Sequence, residues 1–118
     1  MSVEHTLAVV AVSDFDTSHD WYQRFFDTPA TNVPMPGELA ELRTTDTGWI
    51  QIFHSPDHAG HSLANLAVTD IDDHVAELQD RDIETGDIVE VDKGVRVCAI
   101  ADPDGNTITI IGNFREQY

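Results

Sequence analysis

The chain has 118 residues, 41% of them hydrophobic, so it is long and apolar enough to bury the core of one domain. Its 22 Asp and Glu residues outnumber six Lys and Arg residues, and the resulting net charge of −16 repels nucleic-acid phosphates and anionic membranes. No apolar stretch approaches the ~18 residues of a membrane-spanning helix, so we expect neither a nucleic acid nor a membrane as partner.

The acidic residues are spread along the chain, and the apolar pattern continues between them. This distribution is typical of a folded domain with a solvated acidic surface, not of a disordered tail. Such a surface suits the salt-rich cytoplasm of a halophile; an ordinary acidic bacterial protein is the alternative. Cys98 is the single cysteine and the N-terminus lacks the basic start of a secretory signal, so we expect a reducing cytoplasm.

The first half of the chain predicts a strand, a helix and three further strands. Residues 3–12 are predicted to form the first strand, and either Asp14 or Asp16 is suited to cap the helix, which ends near Asp27 before Pro29. The buried face of that helix is predicted to carry Phe15, Ser18, Tyr22, Phe25 and Phe26. The three later strands are predicted at residues 30–33, 38–44 and 48–54.

The second half repeats this order of elements. A strand at residues 62–69 precedes a helix capped by Asp70, and its apolar side is formed by Ile71, Val75 and Leu78. Three strands are predicted at residues 84–91, 95–101 and 106–112. The Asp-Pro-Asp-Gly sequence that begins at Asp102 is predicted to be the turn between the last two, because Pro fixes φ and Gly accepts a positive φ.

An internal repeat relates the two halves. Residues 7–16, LAVVAVSDFD, align with residues 63–72, LANLAVTDID, and six of the ten positions are identical. We interpret the chain as one domain, residues 1–118, built from two βαβββ modules at about 3–55 and 62–114. The Pro- and Gly-containing segment 55–61, SPDHAGH, is predicted to join them without regular structure.

Three motifs carry a resemblance to a known family. They are the DPDGN turn at residues 102–106, the V-x-D-x-D sequence that ends the first strand of each module, and the pair Trp21-Tyr22. Together they resemble the vicinal oxygen chelate superfamily, which includes glyoxalase I, the extradiol dioxygenases and the bleomycin-resistance proteins. The resemblance spans nearly the whole chain. It implies an α+β fold in which eight strands curve around a cleft and the helices lie outside.

Strand side chains alternate between two faces, so the pattern also predicts which residues face the cleft. The residues predicted to face the helices are Ala8, Val10, Val12, Ile50, Ile52, Ile108 and Ile110. We predict a ligand-binding cleft lined by Leu7, Val9, Trp49, Gln51, Phe53, Leu63, Asn65, Arg96, Thr109 and Ile111.

The resemblance also indicates where a metal would bind. Metal-dependent members place His, Glu or Gln on the cleft face of the first and last strand of each module. The matching positions here are Leu7, Gln51, Leu63 and Thr109, which include no carboxylate and no imidazole. We therefore predict no metal, no cofactor and no catalytic residue; the alternative is a shifted register that uses His5, which lies two residues before Leu7.

Several other residues admit both a functional and a structural interpretation. His54, His58 and His61 either form a loop metal site or belong to an exposed joint. Cys98 is either a reactive thiol or a buried structural one. Arg96 either binds an anionic group of the ligand or pairs with one of the many Asp residues.

Trp49 and Phe53 flank Gln51 and are the basis of the functional hypothesis. They form the aromatic walls of a pocket with one amide, or they fill the cleft or a dimer contact. The leading hypothesis is binding of a small hydrophobic or aromatic molecule without a metal. The alternatives are an enzyme of the superfamily that uses no metal or an atypical site, and a structural subunit with a filled cleft. Open strand edges predict a homodimer, with Trp21, Trp49 and the joint as candidate contacts.

Overall fold

The computed structural model describes residues 1–117, and its elements follow the predicted order. They are β1 (Thr6–Val12), α1 (Phe15–Phe26), β2 (Asn32–Met35), β3 (Leu39–Arg43), β4 (Gly48–His54), β5 (Leu63–Val68), α2 (Ile71–Asp80), β6 (Val89–Glu90), β7 (Arg96–Ala101) and β8 (Thr107–Gly112). The α+β class and the two tandem βαβββ modules are confirmed. No helix within residues 1–117 has the length and apolar character needed to cross a membrane.

The repeated V-x-D-x-D sequence starts both helices in the same way. The carboxylate of Asp14 accepts a hydrogen bond from Thr17 N at 3.1 Å, and Asp70 accepts one from Asp73 N at 3.1 Å. Both cap residues have extended backbone, as an N-cap requires. The first Asp of the motif is therefore the cap, which decides between Asp14 and Asp16.

The strands form two four-stranded sheets with the same topology. Their orders are β1-β4-β3-β2 and β5-β8-β7-β6, with the first and last strands of each module parallel and the other pairs antiparallel. Leu7 lies opposite Trp49 in the first sheet, and Leu63 lies opposite Thr107 in the second. The sheets meet where β1 lies beside β5, and Ala11 N donates to Ser62 Oγ there at 3.0 Å.

The predicted alternation of side chains holds on the central strands. The core toward the helices includes Val10, Val12, Ile50, Ile52, Ile108 and Ile110, which are almost completely buried. On the opposite side of the sheets, which we call the cleft face, Leu7, Val9 and Phe53 are exposed, and Leu63 is 81% exposed. Side chains of residues 1–117 therefore do not fill the cleft face.

Several local features differ from the sequence prediction, and one of them is β2, which spans Asn32–Met35 and not residues 30–33. The strand predicted at residues 84–91 is reduced to Val89–Glu90, because only Gly86 N reaches the neighbouring strand earlier in the segment, at Ala99 O. Pro56–His58 forms one 3-10 turn in the joint, with Pro at its first position.

Trp21 is half-buried, and its ring stacks on Phe25 with 5.1 Å between the centroids. It is therefore not the exposed aromatic that would suggest a subunit contact.

The charge of the chain leads to a prediction about salt. Ion pairs such as Arg96–Asp72 (2.7 Å) and His54–Glu38 (3.7 Å) neutralise few of the 22 acidic residues. Screening by salt should relieve the repulsion among the rest, because the Debye length falls to about 3 Å at 1 M. We expect the melting temperature to rise from low to molar KCl. A flat or falling melting temperature would contradict a surface adapted to salt.

Candidate functional site

The cleft face of the first sheet carries large side chains in ordered rows. The strand register places Arg43, Trp49 and Leu7 in one row, Glu41, Gln51 and Val9 in the next, and Leu39, Phe53 and Ala11 in the third. Trp49 and Gln51 are half-buried, and Phe53 is exposed. The rings of Trp49 and Phe53 therefore lie on either side of the row that contains the polar residues Glu41 and Gln51.

Glu41 is the functional candidate that sequence reasoning missed. Gln51 Nε2 donates to Glu41 Oε2 at 2.7 Å, and Asn32 Nδ2 donates to Glu41 Oε1 at 3.3 Å. No Lys, Arg or His of the described chain forms an ion pair with this half-buried carboxylate. The available signal was its alternation with Ala40 and Leu42, which are buried on the helix side.

Trp49 is held in one orientation by its neighbours. Its Nε1 donates to His5 Nδ1 at 3.0 Å, and the Arg43 guanidinium lies over the ring, 5.1 Å from its centroid. Arg43 is itself fixed by a 2.6 Å hydrogen bond from Nη2 to Asp46 O. A preorganised ring of this kind offers an aromatic contact surface at low entropic cost.

The cleft face of the second sheet carries smaller side chains. Its rows are Leu63, Thr107 and Ala101; Asn65, Thr109 and Ala99; and Ala67, Ile111 and Val97. Leu63, Asn65 and Ala99 are exposed, and Thr109 and Ile111 are half-buried. The polar and aromatic groups of the predicted site are thus concentrated on the first sheet.

The four positions that match the metal ligands of the superfamily lie on the cleft face. Leu7 and Leu63 have hydrocarbon side chains, Thr109 has a hydroxyl, and the Gln51 amide donates a hydrogen bond to Glu41. Divalent cations such as Zn²⁺ and Fe²⁺ prefer imidazole, thiolate or carboxylate ligands, so this set does not fit such a metal. Within residues 1–117, no three His, Cys, Asp or Glu side chains are grouped to hold one.

The structure corrects the assignment of Arg96 to the cleft. Arg96 alternates in phase with Cys98 and Ile100, which are buried toward the helices. Its Nη1 and Nη2 donate to the two carboxylate oxygens of Asp72 at 2.7 and 3.1 Å, and this lowers the pKa of Asp72. Pairing with an Asp, the alternative considered for Arg96, is therefore what the structure shows.

The remaining candidates are dispersed or buried. The Cys98 thiol is buried and donates to Gly86 O at 3.3 Å, and burial raises its pKa, which favours the structural interpretation. His54 lies 3.7 Å from Glu38, His58 contacts the Ser55 hydroxyl at 2.9 Å, and His61 is exposed. These three histidines have separate surroundings.

The DPDGN turn has a structural role that links the modules. The Tyr22 hydroxyl donates to Asp102 Oδ2 at 2.6 Å, and Asn106 Nδ2 donates to Ala11 O at 2.8 Å. Asn106 Oδ1 accepts from Gly60 N and Ser62 N at 3.0 and 2.9 Å. Burial and the Asp102 carboxylate raise the pKa of Tyr22, so the hydroxyl stays protonated and acts as the donor in this hydrogen bond. We call Tyr22, Asp102 and Asn106 the inter-module lock.

The chain belongs to the Glyoxalase/Bleomycin resistance protein/Dioxygenase superfamily, whose family model matches residues 2–110. A glyoxalase/bleomycin resistance protein from Catenulispora acidiphila is 29% identical, with a TM-score of 0.84 over 92% of this chain and 96% of that one. Lactoylglutathione lyase from Agrobacterium tumefaciens (14% identity, TM-score 0.78, 92% of each chain) shares the fold. So does a bleomycin-binding protein complexed with bleomycin (17%, 0.77, 93% and 98%). No curated protein matches the sequence.

Proposed function

We propose that this protein binds a small hydrophobic or aromatic molecule on its cleft face, without a divalent metal and without altering the molecule. The observation that carries the proposal is the row arrangement on the first sheet, where Trp49 and Phe53 flank the hydrogen-bonded pair Gln51 and Glu41. Apolar walls with a few placed polar groups are typical of small-molecule sites. The relative complexed with bleomycin supports the same class of function.

The polar pair indicates what the ligand carries. Glu41 receives hydrogen bonds from two neutral amides, and no cation of the described chain neutralises it. Its carboxylate oxygens have capacity for further donors. A ligand with a hydroxyl or amine near its aromatic part would therefore place that group beside Glu41 while its ring contacts Trp49 or Phe53.

The donor chemistry of the cleft supports the metal-free part of the proposal. Leu7 and Leu63 take the first-strand positions at which metal-dependent members carry a ligand. The exposure of Leu63 and Phe53 argues against the alternative of a cleft filled by the chain itself. The single cysteine, which is buried, and the acidic surface support a reducing, salt-rich cytoplasm as the location.

Titration with the neutral probe N-phenyl-1-naphthylamine tests the proposed site. The fluorescence of the probe should rise on binding, and Trp49→Ala should weaken binding about tenfold, equivalent to ~1.4 kcal/mol of lost contact. Phe53→Ala is a second variant in case Trp49→Ala perturbs folding. Treatment with a chelator should leave the affinity unchanged.

Phe114→Ala is the matched control, because Phe114 is an exposed aromatic outside the strands of the cleft. The proposal fails if Phe114→Ala weakens binding as much as Trp49→Ala, or if neither cleft variant changes the affinity. Loss of binding on chelation, restored by a divalent metal, would contradict its metal-free part.

We also propose that two copies of the chain associate. Each copy exposes apolar side chains on both cleft faces and leaves β2 and β6 as sheet edges. A second copy would cover surface that a lone chain leaves to water.

A further inference from the structure

The two modules are related by an internal pseudo-symmetry, and they meet along β1 and β5. We call the line of contact between these two strands the seam. The two ends of the seam differ in their hydrogen bonds and packing. At one end, Ala11 N donates to Ser62 Oγ. The Asn106 side chain there donates a hydrogen bond to Ala11 O in β1 and accepts one from Ser62 N, which directly precedes β5. The Asp104 carboxylate accepts hydrogen bonds from the backbone N and the hydroxyl of Ser13. This end is closed by the inter-module lock.

The other end of the seam lacks every part of that lock. The internal repeat and the strand register make Leu78 the counterpart of Tyr22, Thr44 of Asp102, and Gly48 of Asn106. None of these three side chains can reproduce the network. The pair that corresponds to Ala11 and Ser62 is Ala67 and Thr6, which form no hydrogen bond with each other within residues 1–117.

Local packing shows why Gly48 leaves this end open. A Cβ atom at Gly48 would lie 2.6 Å from Thr45 Oγ1, and that hydroxyl already accepts a hydrogen bond from Gly48 N at 2.8 Å. An asparagine at this position would require the turn to rearrange. The turn of the first module is therefore built without the side chain that fills the equivalent space in the second.

A cavity of about 450 Å³ occupies the open end. Its apolar lining comes from Ala8, Phe26, Leu66 and Val68, and its polar groups include Thr44, Thr45 and His74. Ala8 and Leu66 alternate in phase with core residues, and Phe26 and His74 belong to the helices, so the cavity extends toward the helix side of the sheets. Trp49, Asn65 and Ala67 of the cleft face also line this cavity, whereas Gln51 and Phe53 do not.

We infer that this cavity is a second binding site, for a compact aromatic molecule that carries one hydrogen-bonding group. Its volume lies within the ~300–1,000 Å³ of small-molecule sites, and its lining is mostly apolar. The ring would pack against Phe26 and Leu66, and the polar group would form a hydrogen bond with His74 or Thr44. Burial lowers the pKa of His74, so the imidazole is neutral at pH 7 and can either donate or accept.

Indole is a suitable probe because it is a flat bicycle with one N–H group. Titration of isotope-labelled protein should shift the NMR signals of Ala8, Val68 and the His74 ring. Ala8→Phe places a ring in the cavity and should weaken indole binding at least tenfold. Ala99→Phe is the matched control: it adds the same ring on the cleft face of β7 and should leave the cavity shifts and the affinity unchanged.

A second variant covers the case in which Ala8→Phe fails to fold. His74→Leu keeps a side chain of similar size but removes the polar group, and it should weaken indole binding about threefold to tenfold. Shifts confined to cleft residues, abolished by Ala99→Phe but not by Ala8→Phe, would place indole in the cleft and overturn the inference. Absence of any shift at the solubility limit of indole would overturn it as well. Because Trp49 lines both sites, the naphthylamine result with Phe53→Ala, a residue of the cleft face that does not line the cavity, tests the cleft separately.

Discussion

Replacing Asn106 with alanine is expected to lower the free energy of unfolding by about 3 kcal/mol or more. The Asn106 side chain is fully buried and makes hydrogen bonds to Ala11 O, Gly60 N, Ser62 N and Asp102 Oδ2. Alanine would remove the side-chain partner of Ala11 O, Gly60 N and Ser62 N, whereas Asp102 Oδ2 would keep the Tyr22 hydroxyl. Each buried group left unpaired costs about 1–3 kcal/mol. Chemical denaturation measures the loss directly.

Asn65→Ala is the matched control for that measurement. Asn65 is an exposed asparagine in the same module, and its side chain makes no hydrogen bond within residues 1–117, so its loss should change stability by less than about 0.5 kcal/mol. Tyr22→Phe, which deletes only the hydrogen bond to Asp102, should fall between the two variants. Equal stability of Asn106→Ala and Asn65→Ala would mean that the lock does not hold the modules together.

The sequence predicted the parts of this fold that depend on local pattern. β4 has the predicted bounds of 48–54, and both helices begin directly after a repeated Asp, because the capping residue and the amphipathic stretch are neighbours along the chain. The alternation of Ile50 and Ile52 with Trp49 and Gln51 identified the two faces of that strand. Such signals need no knowledge of distant contacts.

The parts that were missed depend on residues far apart in the chain. Glu41 matters because β3 pairs with β4 and brings it to Gln51, and the position of Arg96 is determined by Asp72 on α2. The DPDGN sequence was interpreted as a turn, which it is. Its larger role in joining the modules depends on Tyr22 and Ala11, 80 and 95 residues away in sequence.

The second large effect is expected on association. We expect light scattering in high salt to give twice the 13.1 kDa mass of one chain, because Leu63 and its neighbours on the cleft face are exposed in a single copy. High salt matters, since each chain carries a net charge of −16 and unscreened repulsion opposes pairing. Leu63→Asp should return the mass to that of one chain, because burying an unpaired carboxylate in the contact is costly.

Val3→Asp is the control for this experiment, because it adds the same charge at an exposed residue that precedes β1. It should leave the mass at twice that of one chain. A mass of one chain that stays constant over about a hundredfold range of concentration in high salt would exclude the dimer, because association must follow mass action. If wild type and Leu63→Asp both pair, the contact does not bury Leu63, and sheet edges such as β2 and β6 become the place to look for it.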